Sequence, residues 1–247
     1  MTPAEIGRAV AIAPSNEAGI ALVLALLLAG FFAAAGLGLA LTLSTDRLSD
    51  RNHLEQARLL YAADAGLALT ASALAQVADL DDVLAGQPSA HVDGPPTGAR
   101  ALPGGGVLDF GAATSLLTCG RVTACSDAQR ATVTSARPYG SNNPAWQPFV
   151  HLPYSAIGGT GADGIYVAVW IGDDGLEADG DPWTDGGGTT GAGRGVLRAH
   201  VEAYGRQGAR RALEADLVRR CGDAGPAGTC LPGIRVQSWR EVSGALP

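Results

Sequence analysis

The stretch NEAGIALVLALLLAGFFAAAGLGLALTLSTD, Asn16 to Asp46, contains no charged residue between Ile20 and Leu43. At about 1.5 Å per residue, a helix over that run reaches roughly 36 Å, enough for the ~30 Å hydrocarbon layer of a bilayer. A cleaved secretory signal would have a shorter apolar core and a small-residue cleavage site before a polar chain. Here the run passes straight into STDRLSDRNHLEQARLLYAADAGLALTASALAQVADL, which lacks proline and is rich in helix formers. Apolar residues recur there at helical spacing, at Leu54, Ala57, Tyr61, Ala65, Ala68 and Ala71. The reading is one continuous helix over 20–78, transmembrane over 20–43, whose amphipathic outer half needs a partner to fold against. Gly30, Ala34, Gly36 and Gly38 punctuate the membrane half, and small residues of this kind let helices approach closely in lipid.

Past this helix the composition shifts. GQPSAHVDGPPTGARALPGGG, Gly86 to Gly106, is rich in Gly and Pro, so 79–106 reads as an irregular connection and 107–247 as a β-rich head. The clearest strands are GIYVAVWIGD (164–173), GVLRAHVEAYG (195–205) and ARRALEADLVRR (209–220). In the second, Leu197, Ala199, Val201 and Ala203 alternate with Arg198, His200, Glu202 and Tyr204, the period of a half-buried strand. In the third, Leu213, Ala215 and Leu217 oppose Glu214 and Asp216, and GRQG (205–208) joins the two as a hairpin. An antiparallel sheet lying on the outer half of the helix would bury both apolar faces, which makes the fold class α+β.

The candidate sites are few. Asp173, Asp174, Glu177, Asp179, Asp181 and Asp185 crowd into the loop GDDGLEADGDPWTDGGGTTGAGRG with no base before Arg194. Oxygen-rich loops of this kind suit calcium, although the spacing is not that of an EF-hand and a solvated acidic loop is the alternative. The four cysteines form two close pairs, Cys119 with Cys125 and Cys221 with Cys230. That spacing fits two local disulfides in an oxidising compartment; free thiols are the alternative, and zinc fits poorly. Arg194, Arg198, Arg206, Arg210, Arg211, Arg219 and Arg220 read mainly as a solvated strand face, with the acidic loop, a partner subunit or DNA as other uses. A formal net charge of -7 argues against nucleic acid as the chief partner.

No enzyme chemistry emerges from the motifs. GGGTTGAGRG lacks the GK[ST] ending of a P-loop, and no G-x-S-x-G elbow or H-E-x-x-H helix is present. His53, His91, His151 and His200 are scattered along the chain and read as surface or packing residues.

Taken together, AGIALVLALLL, the polar turn STDRLSDRNHLEQAR and above all LLYAADAGLALTASAL resemble the N-terminal region of PilX-type minor pilins of type IV pili. They are also similar to K-type minor pseudopilins of type II secretion. The likeness covers roughly Gly19 to Ala75, with a weaker one in GARRALEADLVRR and VQSWREV. It implies a pilin fold, with the long helix packed on an antiparallel sheet. It also implies a prepilin leader over 1–19, cut by a prepilin peptidase between Gly19 and Ile20, and N-methylation of Ile20. The leader carries only Arg8 against Glu5 and Glu17, whereas pilin leaders are usually basic, and Ile20 stands where major pilins have phenylalanine.

Leu24 stands where major pilins carry a glutamate that neutralises the terminal amine of the subunit above. A subunit with nothing above it has no such amine to meet, so Leu24 suggests the filament tip. Filament packing would use Leu24, Gly30, Gly36, Gly38, Tyr61 and Asp64, the last by pairing with a neighbour's arginine or by lying solvated. The expected partners are other minor pilins, the major pilin and a tip adhesin. The expected location is the inner membrane, single-pass with a periplasmic head, and then an extracellular pilus serving motility or adhesion. A type II secretion pseudopilus, and a non-polymerising membrane-anchored calcium-binding adhesin, are the rival roles.

Overall fold

A computed structural model describes residues 17–160, 164–177, 179–186, 193–219 and 233–242. The chain divides into two compact units, Met1–Asn52 and His53–Pro247. Helix α1 runs unbroken from Glu17 to Leu74 and contributes to both.

In the first unit, every residue from 19 to 52 is exposed. This one helix is long and apolar enough to cross a membrane. Where the apolar run ends, Thr42 Oγ1 donates to Leu39 O (2.8 Å), Ser44 Oγ to Leu41 O (2.8 Å) and Thr45 Oγ1 to Thr42 O (2.8 Å). The helix itself thus satisfies these hydroxyls.

The second unit is built on a five-stranded antiparallel meander in the order β3 (Gln147–Pro153), β4 (Tyr166–Asp173), β5 (Val196–Tyr204), β6 (Arg210–Arg219) and β7 (Ile234–Val242). The three strands legible in the sequence are β4, β5 and β6, and a short turn at Arg206–Gly208 makes the predicted hairpin. Gln207 takes a left-handed φ of 55° there, a conformation that the flanking Gly205 and Gly208 help the chain reach. Strands β3 and β7 were not anticipated.

One face of the sheet receives the C-terminal part of α1. Leu59, Ala62, Ala63, Leu67, Ala73 and Leu74 pack with Val167, Val169, Val201 and Leu213. The buried stripe also holds Gly66 and Thr70, whose hydroxyl returns to Gly66 O (2.8 Å). This is not the stripe expected from the spacing. Leu54 and Tyr61 are 61% and 68% exposed, and Ala57 and Ala68 are exposed as well. An alanine-rich helix offers several apolar stripes, and the sheet takes the one whose small residues allow the closest approach. A Cβ on Gly66 would lie 2.5 Å from Val167 Cγ1, so the helix backbone rests almost directly on the strand.

The second face is covered too. A hairpin of β1 (Ala99–Ala101) and β2 (Val107–Asp109) leads into α3 (Phe110–Cys119), which Asp109 caps through Ala112 N (2.9 Å). Leu108, Phe110, Ala113, Trp146, Tyr166, Ala168 and Trp170 form a separate apolar cluster beneath it. The Trp170 indole donates to Thr114 Oγ1 (2.8 Å). Every position of β4 is therefore buried, on both faces.

The segment 79–106, expected as an irregular connection, carries two of these elements. Besides β1 it holds α2 (Leu80–Leu84), capped by Asp79, with Leu80, Val83 and Leu84 in the core against the sheet. A five-residue helix leaves no periodicity to read, and its burial depends on a sheet far away in sequence.

Candidate functional site

The acidic loop begins where β4 ends. Asp173 is the last residue of that strand, and its backbone pairs opposite Leu197 of β5. Of the six acids in the loop, the fold brings three together: one carboxylate oxygen each from Asp173, Glu177 and Asp185, all within 4.8 Å of one another. Asp173 is only 2% exposed and Glu177 only 3%. Asp173 Oδ1 and Glu177 Oε1 are buried without a hydrogen-bond partner, and so is Asp179 Oδ2 at the margin of the cluster.

Two other oxygens of these carboxylates are spent on the backbone. Glu177 Oε2 accepts from Gly186 N (3.0 Å) and Asp185 Oδ1 from Gly195 N (2.7 Å). Asp185 N donates to Asp81 Oδ1 on α2 (2.6 Å), which ties the loop to that helix. Gly193, at φ 86°, lies against the Glu177 carboxylate where a Cβ would collide with it. Asp174 and Asp181, expected as ligands, instead accept from Leu176 N (3.1 Å) and Trp183 N (3.1 Å) in local turns.

Two unit charges 4.8 Å apart repel by roughly 3.5 kcal/mol at an effective dielectric of 20, and burial adds to the cost of ionisation. Burial first, then the charges of Glu177, Asp179 and Asp185, pushes the Asp173 carboxyl up to about 8. Burial and the neighbouring Asp179, Asp185 and Asp174 push Glu177 up to about 7. Asp185 rises by burial, aided by Asp81.

The predicted arginine face is largely engaged within the chain. Arg219 donates to Leu74 O (2.8 Å), Val77 O (2.7 Å) and Ala78 O (3.3 Å), closing the C-terminal end of α1. Arg198 pairs with Asp216 (3.2 Å) and lies over the Tyr139 ring, while Arg211 pairs with Glu241. Arg220 lies outside the described residues.

The polar side of β5, expected to be solvated, is buried. His200 Nε2 contacts Glu202 Oε1 (2.9 Å), and its Nδ1 lies 3.6 Å from Glu214. Arg210, Tyr204 and Arg240 complete the set. His151 is likewise buried, held by Asp93 (3.0 Å), whose carboxylate also accepts from Tyr166 (2.9 Å). Both histidines are thus internal packing groups, while His53 is exposed.

Cys119 and Cys125 form a disulfide with a Cα–Cα distance of 6.2 Å, fastening the end of α3. Cys221 and Cys230 lie outside the described residues, as does most of the proposed leader, 1–16. Beside the disulfide is a cleft of about 200 Å³ lined by Trp146, Trp183, Asp127 and Arg130. The residues assigned to filament packing are all presented to the outside of α1: Leu24, Tyr61 and Asp64 are exposed, and nothing lies within 4 Å of a Cβ built on Gly30, Gly36 or Gly38. Gly19 and Ile20 are exposed as well. Compared with protein-family models, curated proteins and solved structures, the chain matches none.

Proposed function

We propose that this chain is a minor pilin that primes assembly of a type IV pilus, or sits at its tip, and presents the head for interaction. One observation carries this reading: a single unbroken helix is a bare apolar rod over residues 20–43 and, from Leu59 to Leu74, the element on which the sheet folds. An exposed run of leucines and phenylalanines is untenable in water, since each buried side chain of that size is worth ~1.5–3 kcal/mol. A bilayer covers it first, and like helices of sibling subunits replace the lipid on assembly. The exposed small residues Gly30, Gly36 and Gly38 suit close helix packing, and Leu24 suits a subunit with none above it. The Cys119–Cys125 disulfide agrees with a head outside the reducing cytoplasm.

Mass spectrometry of the N-terminal peptide, from cells with and without prepilin peptidase, tests the proposal. The expected product is a chain starting at N-methylated Ile20 only where the peptidase is active. A chain that keeps Met1 in peptidase-positive cells refutes it.

A further inference from the structure

The acids of the β4–β5 loop do more than crowd. Three carboxylates converge from the end of β4 (Asp173), the turn after it (Glu177) and the approach to β5 (Asp185). Two of them belong to residues more than nine-tenths buried, and each points an oxygen inward that no group of the protein satisfies. Buried charge without a partner is costly enough that it marks either a proton or a bound cation. Acids on a merely solvated loop would instead turn outward, as Asp181 does.

We propose that Asp173, Glu177 and Asp185 together hold one divalent cation of the calcium type, and that the bound ion fastens the end of β4 to α2 and to the entry of β5. Calcium binds oxygen at about 2.3–2.6 Å, so oxygens on opposite sides of the ion stand about 4.6–5.2 Å apart. The three oxygens, all within 4.8 Å of one another, lie close enough for one such ion to reach them together. Magnesium, at about 2.0–2.1 Å and strictly octahedral, would have to draw any pair at the 4.8 Å limit closer together. Asp179 Oδ2, also buried without a partner, lies outside this group of three.

The hydrogen bonds that surround the cluster transmit the ion's effect. Asp185 bonds to Asp81 of α2 and to Gly195 at the start of β5, and α2 is built into the core that packs on the end of α1. Occupation therefore bears on how firmly the head holds its helix.

The whole chain, purified in detergent micelles and stripped with EDTA, is titrated with calcium chloride by calorimetry and melted in EDTA, calcium or magnesium. One calcium per chain is expected, with a Tm that rises with calcium more than with equal magnesium. At calcium one hundred times Kd, the folding equilibrium constant gains about a hundredfold. D173N and E177Q are expected to lose the calcium response while melting above the wild type in EDTA, because a neutral amide needs neither the proton nor the buried charge that the carboxyl must take on there. D181N, exposed and outside the cluster, keeps the response. Absence of calcium heat and of any calcium-dependent rise in Tm overturns the site, as does undiminished binding by D173N and E177Q. Loss of binding in D181N overturns it equally, by making charge density rather than these oxygens the determinant. Chains that retain Met1 serve as well as processed ones, so a failure of N-terminal processing would leave this site standing, and a failure here would leave the pilin proposal standing.

Discussion

Gly66→Ala is the sharpest probe of the way α1 meets the sheet. By helix propensity alone the change stabilises, since alanine is favoured over glycine within a helix by about 1 kcal/mol. The packing says the opposite. The new Cβ would stand 2.5 Å from Val167 Cγ1, with Val201 Cγ1 at 3.5 Å and Val169 Cγ2 at 3.7 Å behind it. Ordinary carbon contact is about 3.5–4.0 Å, so helix and strand must part by roughly 1 Å. A Cβ cannot rotate away, and the helix is held on either side by Leu59, Ala62, Ala63, Leu67 and Leu74. Overpacking of this kind costs about 3 kcal/mol at the upper end of its range, leaving a net loss of about 2 kcal/mol. For a folded unit of this size the melting temperature falls by about 4–8 °C. Thermal melts of the wild type, G66A, V167A and G66A/V167A measure it. The double variant should be at least 1 kcal/mol more stable than the two single losses summed, because the shortened side chain makes room for the methyl. A G66A protein that melts at or above the wild type refutes the close approach.

Two further outcomes follow from the polar groups. Arg219→Ala leaves the carbonyls of Leu74 and Val77 without their donor and should cost about 1.5–3 kcal/mol in urea unfolding, with Arg219→Lys recovering only part; an unchanged midpoint for the alanine variant would mean that water serves as well. For the buried network, burial opposes charge on His200, but Glu202 and Glu214 outweigh it and hold the imidazole above its ordinary 6.5. Its contribution is complete below pH 6.5 and is lost as pH rises through the higher folded value. Glu214 goes the other way: against burial, its bonds to His200 and Arg240 hold it at about 2, so its contribution is complete above pH 4.5 and is lost as pH falls toward 2. Melting temperatures should decline on both sides of that window, and His200→Gln should flatten the alkaline limb; parallel profiles for the two proteins would exclude the network as the cause.

How far these features were legible depended on their range. β5 and β6 announced themselves by apolar and polar residues alternating along the strand, and β4 by a short uncharged apolar run. β3 did not, since QPFVHLP holds two prolines and is buried at both parities. β7 did not either, because the alternation of Ile234 and Val236 with Arg235 and Gln237 breaks at Ser238 and Trp239, where the pairing with β6 shifts register. The acidic loop was visible as a crowd of six, but the selection of Asp173, Glu177 and Asp185 was not. Asp174 and Asp181 differ from them only in which backbone amide lies within reach, and loop geometry sets that. Gly66 gave no sign, and Arg219 read only as one of a largely solvated set, for a glycine in an alanine-rich helix and an arginine at a strand end are unremarkable until something lies against them.

Residue order alone determined the long helix, its uncharged span and the α+β class, because each is written in charge-free length or short-period repeats. The tertiary structure alone decided which stripe of α1 is buried, that a second layer covers the polar side of β5, and which three acids meet. Those depend on elements distant in the chain arriving at one place, and in an alanine-rich helix many stripes satisfy the period while only one lets the backbone come to rest on Val167.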